Sequence, residues 1–239
     1  MSNESYNLIS LNIHHGRALD GADMLNQQAS LISNYDIALI QETERNTERN
    51  KNRDLLAELS EISGLRFSSE ALWHPYTGGE YGVGVLSKLP ILYESSLLLP
   101  KVAYGETRDI DLKVRKNPEQ RGLHIVKIGL AYAELTVVNT HSSLWAIERE
   151  VSDVTLSALL TSSTTPTIVG GDLNIENFNE YPNLRKFQEL CPGDVPTYPA
   201  INPTKSIDKL FGVHINALSA HVLPDLVSDH RAIALEFRV

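Results

Sequence analysis

Eight polar residues at or near the ends of short apolar runs could together carry out hydrolytic chemistry. They comprise four carboxylates, two amides and two imidazoles, namely Asn12, Glu42, His141, Asp172, Asn174, Asp208, Asp229 and His230. Carboxylate and amide oxygens suit a hard cation such as Mg²⁺ or Mn²⁺. Carboxylates crowded at one place repel one another unless a cation or a protonated histidine lies among them. The residue types therefore predict a metal-assisted site, not a thiol or Ser-His-Asp nucleophile.

The apolar runs that precede these residues predict buried strands, because they are short, rich in Val, Ile and Leu, and bounded by turn residues. They occupy residues 8–11, 37–40, 135–138 and 167–169, and Ile207 begins another. Further strands are predicted at 82–86, 122–130, 214–222 and 232–239. Apolar residues spaced by three and four predict two helices and the start of a third. These sets are Leu55, Leu56, Leu59 and Ile62, then Ile147, Val151, Val154 and Ala158, and finally Leu184 with Phe187.

The order of these elements indicates the fold class. Strands and helices are interspersed, but several strands follow one another directly, unlike the strict alternation of a doubly wound or barrel fold. We expect an α/β (α+β) fold of two packed sheets with helices on their outer faces, because one large sheet would need more helix to cover it. The polar strand ends would then gather along one rim. Without repeats or linkers, residues 1–239 are expected to form a single domain.

The charge balance excludes a simple electrostatic coat for nucleic acid. The chain has 30 Asp and Glu against 21 Lys and Arg, a formal net charge of −9 and a pI of about 5.4. A negative net charge removes the bulk attraction that drives non-specific binding to polyanions. An enzyme that attacks phosphate esters is still possible, because a bound divalent cation can supply positive charge locally.

Cysteine content and apolar runs bear on the cellular compartment. The single cysteine, Cys191, excludes an intramolecular disulfide, and we expect its thiol to be inert. Residues 1–5 carry no basic cap, and no apolar run approaches the roughly 18 residues of a membrane-spanning helix. We therefore expect a cytoplasmic protein without membrane association.

Seven segments, in this order, resemble the motif set of the endonuclease/exonuclease/phosphatase superfamily, which has the fold of pancreatic deoxyribonuclease and the apurinic endonucleases. They are Asn12 within residues 11–16, Gln41-Glu42-Thr43, residues 81–88, Asn139-Thr140-His141-Ser142, residues 170–174, Ser206-Ile207-Asp208 and Ser228-Asp229-His230. Each motif alone is weak, but seven in order are specific. The resemblance implies a deoxyribonuclease I-like four-layer sandwich, with two mostly antiparallel sheets flanked by helices.

The resemblance also implies which residues bind metal and substrate. Glu42 would be the principal ligand of Mg²⁺, or possible Mn²⁺, with Asn12 beside it and Asp229 near enough to take part. Arg121 resembles a family residue that could touch phosphate, although a solvated surface role is an equal alternative. His15 follows Asn12 closely and could line the cleft.

Five further residues take catalytic roles by the same resemblance. Asp172 would orient or deprotonate the attacking water, and Asn174 would hold that water or a phosphate oxygen. His230 would donate to the scissile phosphate, with its ring aligned by Asp208. His141 would be a second imidazole facing the phosphate, although it could instead be a satisfied core histidine.

The sequence leaves the roles of some of these residues open. Glu80 could align His141, as a carboxylate does in some family members, or it could lie on a loop surface. Asn12 and Asn174 could instead cap turns, because Asn is a common turn residue.

The resemblance predicts chemistry better than substrate. We expect a magnesium-dependent phosphodiesterase, an endonuclease that cleaves DNA or RNA. The alternative is a phosphomonoesterase or a phospholipid or inositol-phosphate hydrolase, and a non-catalytic binding module is a third reading. Residues 203–209 lack the Trp-Cys-Asp-Arg signature of inositol 5-phosphatases, and the densest basic segment, 113–116, is flanked by acidic residues. No protein partner can be inferred.

Overall fold

The computed structural model describes residues 4–101, 119–175, 178–191 and 193–239. The basic segment 113–116 lies outside these ranges. The first half of the chain forms strands and helices in the order β1 (Tyr6–Asn12), α1 (Leu25–Ile32), β2 (Ile37–Arg45), α2 (Leu55–Ser63), β3 (Phe67–Tyr76), β4 (Gly79–Ser87) and β5 (Ile91–Leu98). The second half forms β6 (Gly122–Gly129), β7 (Glu134–His141), α3 (Ala146–Ser162), β8 (Thr167–Asp172), β9 (Gln188–Glu189), β10 (Asp208–Val213), β11 (Asn216–Val222) and β12 (Ile233–Arg238).

The strands form two six-stranded sheets that pack face to face. Sheet I has the order β11-β12-β1-β2-β4-β3, and sheet II has the order β5-β6-β7-β8-β10-β9. Strands β1 and β2 pair in parallel, as do β7 and β8, and the other pairs are antiparallel. The predicted class, two mostly antiparallel sheets flanked by helices, is confirmed.

Alternating side chains on the central strands build this sandwich. In β2, Leu39 packs in the core between the sheets, whereas Ile40 packs under helices α1 and α2. In β7, Val137 enters the core between the sheets and Val138 packs under α3. Burying each such side chain contributes about 1.5–3 kcal/mol relative to leaving it exposed. Two-sided burial explains why these strands read as continuous apolar runs in the sequence.

The prediction of helix α3 was right, but its predicted inward face was wrong. Val154 is 58% exposed, whereas Ser152, Asp153 and Leu156 are buried. Asp153 accepts hydrogen bonds from the backbone N–H groups of Asn183 and Leu184. A polar residue therefore anchors the inward face, and a search for apolar spacing misses such a face.

Strands β3 and β5 and helix α1 were not predicted. Strand β5 is an edge strand whose residues are mostly exposed, and the polar residues 94–96 interrupt its apolar residues, so it does not read as a buried run. Strand β3 is an edge strand of sheet I and contains Pro75. Helix α1 spans eight residues and buries the polar Gln28, which donates to the carbonyls of Ile13 and Val227. Within the described residues, no helix is both long and apolar enough to cross a membrane.

Candidate active site

Strand register brings three of the predicted site residues together on sheet II. His141 ends β7 and Asp172 ends β8, and the parallel pairing sets them side by side. Asp208 begins the antiparallel β10 and lies opposite Asp172 on its other side. Asp172 is therefore flanked in the sheet by an imidazole and a carboxylate.

Sheet I presents Glu42 through an irregularity in its backbone. The register of β2 against β4 shifts between Gln41 and Thr43, and Glu42 at that point has a φ of 64°. This left-handed conformation is costly for a residue with a side chain, by about 1–3 kcal/mol, and such strain is found at functional sites. Asn12 ends β1 and pairs with Gln41.

Two motif residues connect the sheets beneath the site. The Asn139 side chain donates to the carbonyls of Ile40 and Gly84 in sheet I, at 2.9 and 2.8 Å, and accepts from Gln41 Nε2 at 2.8 Å. Gly171 lies beside them with a φ of 129°, and a Cβ there would come within 2.2 Å of the Thr140 carbonyl oxygen. Gln41 and Asn139 thus fix the spacing of the two rims that carry the site.

His230 is held between two carboxylates. Its Nδ1 lies 2.9 Å from Asp208 Oδ2, and its Nε2 lies 3.7 Å from Asp172 Oδ2. Burial alone would lower the pKa of His230, but the negative charges of Asp208 and Asp172 outweigh it and raise that pKa to about 10. His230 is therefore a charged imidazolium at neutral pH, with Nδ1–H donating to Asp208.

Asp172 is almost fully buried among nitrogen donors. Its Oδ2 accepts from Asn12 Nδ2 at 3.1 Å and lies 3.4 Å from His141 Nε2, while its Oδ1 accepts from the Asn174 N–H at 3.0 Å. Burial is the largest influence on the pKa of Asp172 and raises it to about 7, against the opposing charge of His230. Its carboxyl group is thus suited to exchange a proton near neutral pH.

Glu42 keeps its negative charge despite burial. Its Oε1 accepts from Asn12 Nδ2 at 3.3 Å, and its Oε2 lies 3.7 Å from His15 Nδ1. Burial would raise the pKa of Glu42, but the His15 imidazole and the other nitrogen groups hold it well below its usual range. Asn12 Oδ1 accepts from the His14 N–H at 2.9 Å, so this amide holds the Glu42 carboxylate in place. Direct metal ligation by Asn12 stays a prediction.

The donor set around Glu42 fits a divalent cation better than the neighbouring cluster does. Among the described residues, ligand atoms of Asp172, Asp208 and His230 all lie within 4.8 Å of one another. In this arrangement, however, His230 Nδ1 is already paired with Asp208 Oδ2 at 2.9 Å, and the one charge of His230 offsets one of the two carboxylates. By contrast, the Nδ1 atoms of His14 and His15 are buried without a hydrogen-bond partner. His14 Nδ1 lies 4.0 Å from Asp229 Oδ1, and His15 Nδ1 lies 3.7 Å from Glu42 Oε2. A cation between these groups would use the free ligand positions.

His141 is contacted by a phenol, and Glu80 plays no part in its alignment. Tyr81 Oη lies 3.2 Å from His141 Nδ1, and both side chains are buried. Glu80 instead faces solvent and forms an ion pair with Arg45 at 3.1 Å. The reason is the strand geometry: Glu80 and Tyr81 are neighbours in β4, so their side chains point to opposite faces of sheet I.

The predicted substrate-binding residues all line one cleft of about 840 Å³. Arg121 is buried on its wall, its guanidinium pairs with Glu119 at 2.8 Å, and its Nε has no hydrogen-bond partner. Asn174 donates from Nδ2 to the Ser142 carbonyl at 3.0 Å. His15 lies beside Glu42, with its Nδ1 3.7 Å from Glu42 Oε2.

Several lining residues were not predicted from the sequence. Tyr198 packs its ring on His230, with centroids 4.9 Å apart. Arg149 pairs with Glu180 at 2.6 Å, and Arg49 pairs with the buried Glu44. Tyr198, Arg149 and Glu180 are far apart in the chain, so no local motif marks them, whereas Arg49 pairs with a carboxylate only five residues away. Lys205 also lines the cleft.

Comparison with known proteins identifies the class to which this fold and site belong. The model of the Endonuclease/Exonuclease/phosphatase family matches residues 9–230, and the chain belongs to that family. No curated protein sequence matches the chain.

Solved structures of low sequence identity share the fold. An endonuclease/exonuclease/phosphatase from Beutenbergia cavernae is 20% identical with a TM-score of 0.77, over 98% of this chain and 72% of that one. D. rerio TDP2 complexed with a single-strand DNA product is 14% identical with a TM-score of 0.71, over 99% and 100% of the chains. The Bacteroides thetaiotaomicron mannosyl-6-phosphatase is 16% identical with a TM-score of 0.72, over 98% and 100%.

Proposed function

We propose that this protein is a metal-dependent phosphoester hydrolase that uses Mg²⁺, or Mn²⁺ in its place. One observation carries the proposal. The Asp172 carboxylate lies within 3.7 Å of the Nε2 atoms of both His141 and His230, and Asn12 joins it to Glu42 across the two sheets. A proton acceptor, two imidazoles and an anionic metal ligand thus meet in one cleft, which suits in-line attack of water on a phosphate.

The roles follow from charge and position. Glu42 and Asp229 would hold the cation, with Asn12 orienting Glu42, and a bound cation would neutralise phosphate oxygens. Asp172 would accept a proton from the attacking water, and Asn174 would hold that water or a phosphate oxygen.

His141 and His230, the two imidazoles beside Asp172, would act on the phosphate oxygens. His230, charged through Asp208, would donate to the developing negative charge of the phosphate or leaving oxygen. His141 would hydrogen-bond a second phosphate oxygen.

Nucleic acid is the first substrate candidate. The sequence resemblance to nucleases predicts it, and the structural relative TDP2 holds a single-strand DNA product. On this reading the protein is an endonuclease of modest sequence specificity.

A small phosphate ester is the second candidate, and the pairing of the cleft arginines favours it. Arg49, Arg121 and Arg149 each pair with a carboxylate, namely Glu44, Glu119 and Glu180. Binding of a polyanion requires cations that release counterions from several phosphates. Paired arginines are poorly suited to that, but they can hydrogen-bond a single phosphate or a sugar.

A substrate panel tests the proposal. The purified protein is incubated with bis(p-nitrophenyl) phosphate, p-nitrophenyl phosphate, single-stranded DNA, RNA and mannose 6-phosphate, with MgCl₂, MnCl₂ or EDTA. Asp172→Asn is the matched control. We expect metal-dependent hydrolysis that EDTA and the variant abolish. No hydrolysis of any ester with either metal, or hydrolysis unaffected by EDTA, would contradict the proposal.

Salt dependence then separates the two substrate candidates. For nucleic acid, log(kcat/KM) should fall with log[salt] at a slope of about −0.7 per single-strand phosphate contacted. For a small monoester, kcat/KM should change little.

We also propose that residues 1–239 form one domain, because the family match runs from residue 9 to residue 230 and both sheets share one core. The cytoplasmic location stays a prediction.

A further inference from the structure

The Tyr81 side chain contacts an imidazole and lies near a buried cation. Tyr81 Oη is 3.2 Å from His141 Nδ1, and the central carbon of the Arg121 guanidinium lies 6.0 Å from the Tyr81 ring centroid. All three side chains are more than nine-tenths buried, at 6%, 5% and 7% exposure for Tyr81, His141 and Arg121. Their relative positions are therefore fixed by packing.

Donor and acceptor roles follow from the chemistry of these groups. The Arg121 guanidinium carries only N–H donors, so it offers the Tyr81 O–H no acceptor. Burial raises the pKa of Tyr81 well above its usual value, and Glu42 adds to this, so the phenol keeps its proton. The phenol O–H then points at His141 Nδ1, which accepts it. An imidazole that accepts at Nδ1 carries its proton on Nε2.

We propose that Tyr81 is a positioning residue that fixes His141 as a neutral imidazole with its proton on Nε2, ready to hydrogen-bond a substrate phosphate oxygen. This inference rests on the proposed phosphoester hydrolysis. His141 Nε2 already lies 3.4 Å from Asp172 Oδ2 and lines the cleft, so its N–H faces the place of reaction. The Arg121 guanidinium, buried near the Tyr81 ring, helps to fix the phenol in place by packing.

A phenol at Nδ1 has a different effect from a carboxylate, the group that Glu80 could have supplied there. A carboxylate at Nδ1 would favour the charged imidazolium, as Asp208 does for His230. Two imidazolium rings beside Asp172 would repel each other and would weaken it as a proton acceptor. A phenol orients the second ring without adding charge.

The experiment compares Tyr81→Phe with the wild type. Protein labelled with ¹⁵N-histidine is studied by long-range ¹H–¹⁵N NMR, and the His141 signal is assigned by its loss in His141→Gln. In the wild type we expect the pattern of a neutral ring protonated at Nε2. In Tyr81→Phe we expect a mixture of tautomers, and a fall in kcat of about 10–100-fold with little change in KM, the size typical of losing an orienting partner.

Tyr6→Phe is the matched control. Tyr6 is also buried, and its hydroxyl accepts a hydrogen bond of 3.2 Å from the Ala131 N–H. Tyr6 begins β1, whereas Asn12 ends it, so this hydroxyl is at the far end of the strand from the site. We expect this variant to keep the wild-type kcat and the His141 spectrum, while thermal unfolding reports any loss of stability in either variant.

The spectrum makes failure of this inference separable from failure of the proposed function. A wild-type His141 protonated at Nδ1, or a charged His141 near pH 7, overturns the role of Tyr81 whatever the activity. An unchanged spectrum and kcat in Tyr81→Phe also overturns it. A wild-type protein that hydrolyses no ester contradicts the function but leaves the tautomer measurable.

Discussion

The two imidazoles that face Asp172 differ in what lies behind them. Behind His230 is the Asp208 carboxylate at 2.9 Å, and behind His141 is the Tyr81 hydroxyl at 3.2 Å. A carboxylate stabilises a charged ring, whereas a phenol orients a ring without charging it. Two identical side chains at similar distances from one carboxylate can therefore serve as an acid and as a neutral donor.

The difference between His230 and His141 affects the net charge of the site. Asp172, Asp208, Glu42 and Asp229 bring four carboxylates into one rim, and His230 offers one compensating charge. A divalent cation beside Glu42 would compensate two more. A neutral His141 leaves Asp172 able to accept a proton, because a second imidazolium would stabilise its ionised form too strongly.

Removing the charged ring should have the largest effect. We expect His230→Ala to lower kcat by about 10²–10⁴-fold, because a positioned acid is lost, while the protein stays folded. The comparison predicts a smaller loss for His141→Gln, which keeps a neutral N–H donor near the same position. Steady-state kinetics on the best ester of the panel gives both values. Equal losses would contradict the division of roles.

Replacing Asp208, the carboxylate paired with His230, by a neutral residue should shift the pH dependence of kcat/KM. The raised pKa of His230 predicts that kcat/KM falls as pH rises through about 10. In Asp208→Asn the carboxylate that raises this pKa is gone, so we expect the alkaline limb to move to lower pH, with a loss of about 10–100-fold at neutral pH. Tyr81→Phe should leave this limb in place. An alkaline limb that does not move in Asp208→Asn would argue against the pairing.

The unfolding free energy should also depend on pH through the ionisation of His230. The folded-state pKa of His230, about 10, exceeds the unfolded value near 6.5, so its ionisation stabilises the fold fully below pH 6.5. That contribution is lost as pH rises from about 6.5 to about 10. We predict that the difference in unfolding free energy between the wild type and His230→Gln shrinks over this window. Denaturant titrations at pH 6, 8 and 10 measure it, and a difference that grows would contradict the assignment.

The arginine behind the phenol should show the smallest effect on turnover. If Arg121 acts only by packing beside Tyr81, Arg121→Gln lowers kcat by about tenfold or less, which corresponds to about 1.4 kcal/mol, and leaves KM nearly unchanged. If Arg121 instead binds substrate directly, KM rises while kcat is kept. Initial rates over a range of substrate concentration separate the two outcomes.

Much of the site could be predicted from the sequence because register fixes it. Short apolar runs ending in polar residues identified Asn12, His141 and Asp172, and strand pairing then sets His141, Asp172 and Asp208 side by side. The fold class followed from the order of strands and helices. Two-sided burial of the central strands made those runs easy to see.

The rest depended on contacts that no local pattern records. Alternation in β4 could have favoured Tyr81 over Glu80, because Tyr81 shares a face with Val85, whose side chain packs between the sheets. The pairing of Arg149 with Glu180 joins residues 31 positions apart. The polar inward face of α3 and the exposed edge strands β3 and β5 lack the apolar spacing that sequence reasoning uses.

One spectrum tests the central claim, that the two imidazoles hold different proton states. In wild-type protein labelled with ¹⁵N-histidine at pH 8, we predict that His230 carries protons on both ring nitrogens and that His141 carries one, on Nε2. Raising the pH through about 10 should remove a proton from His230 and leave the His141 pattern unchanged. Two rings in the same protonation state at pH 8, or a His141 proton on Nδ1, would contradict the account.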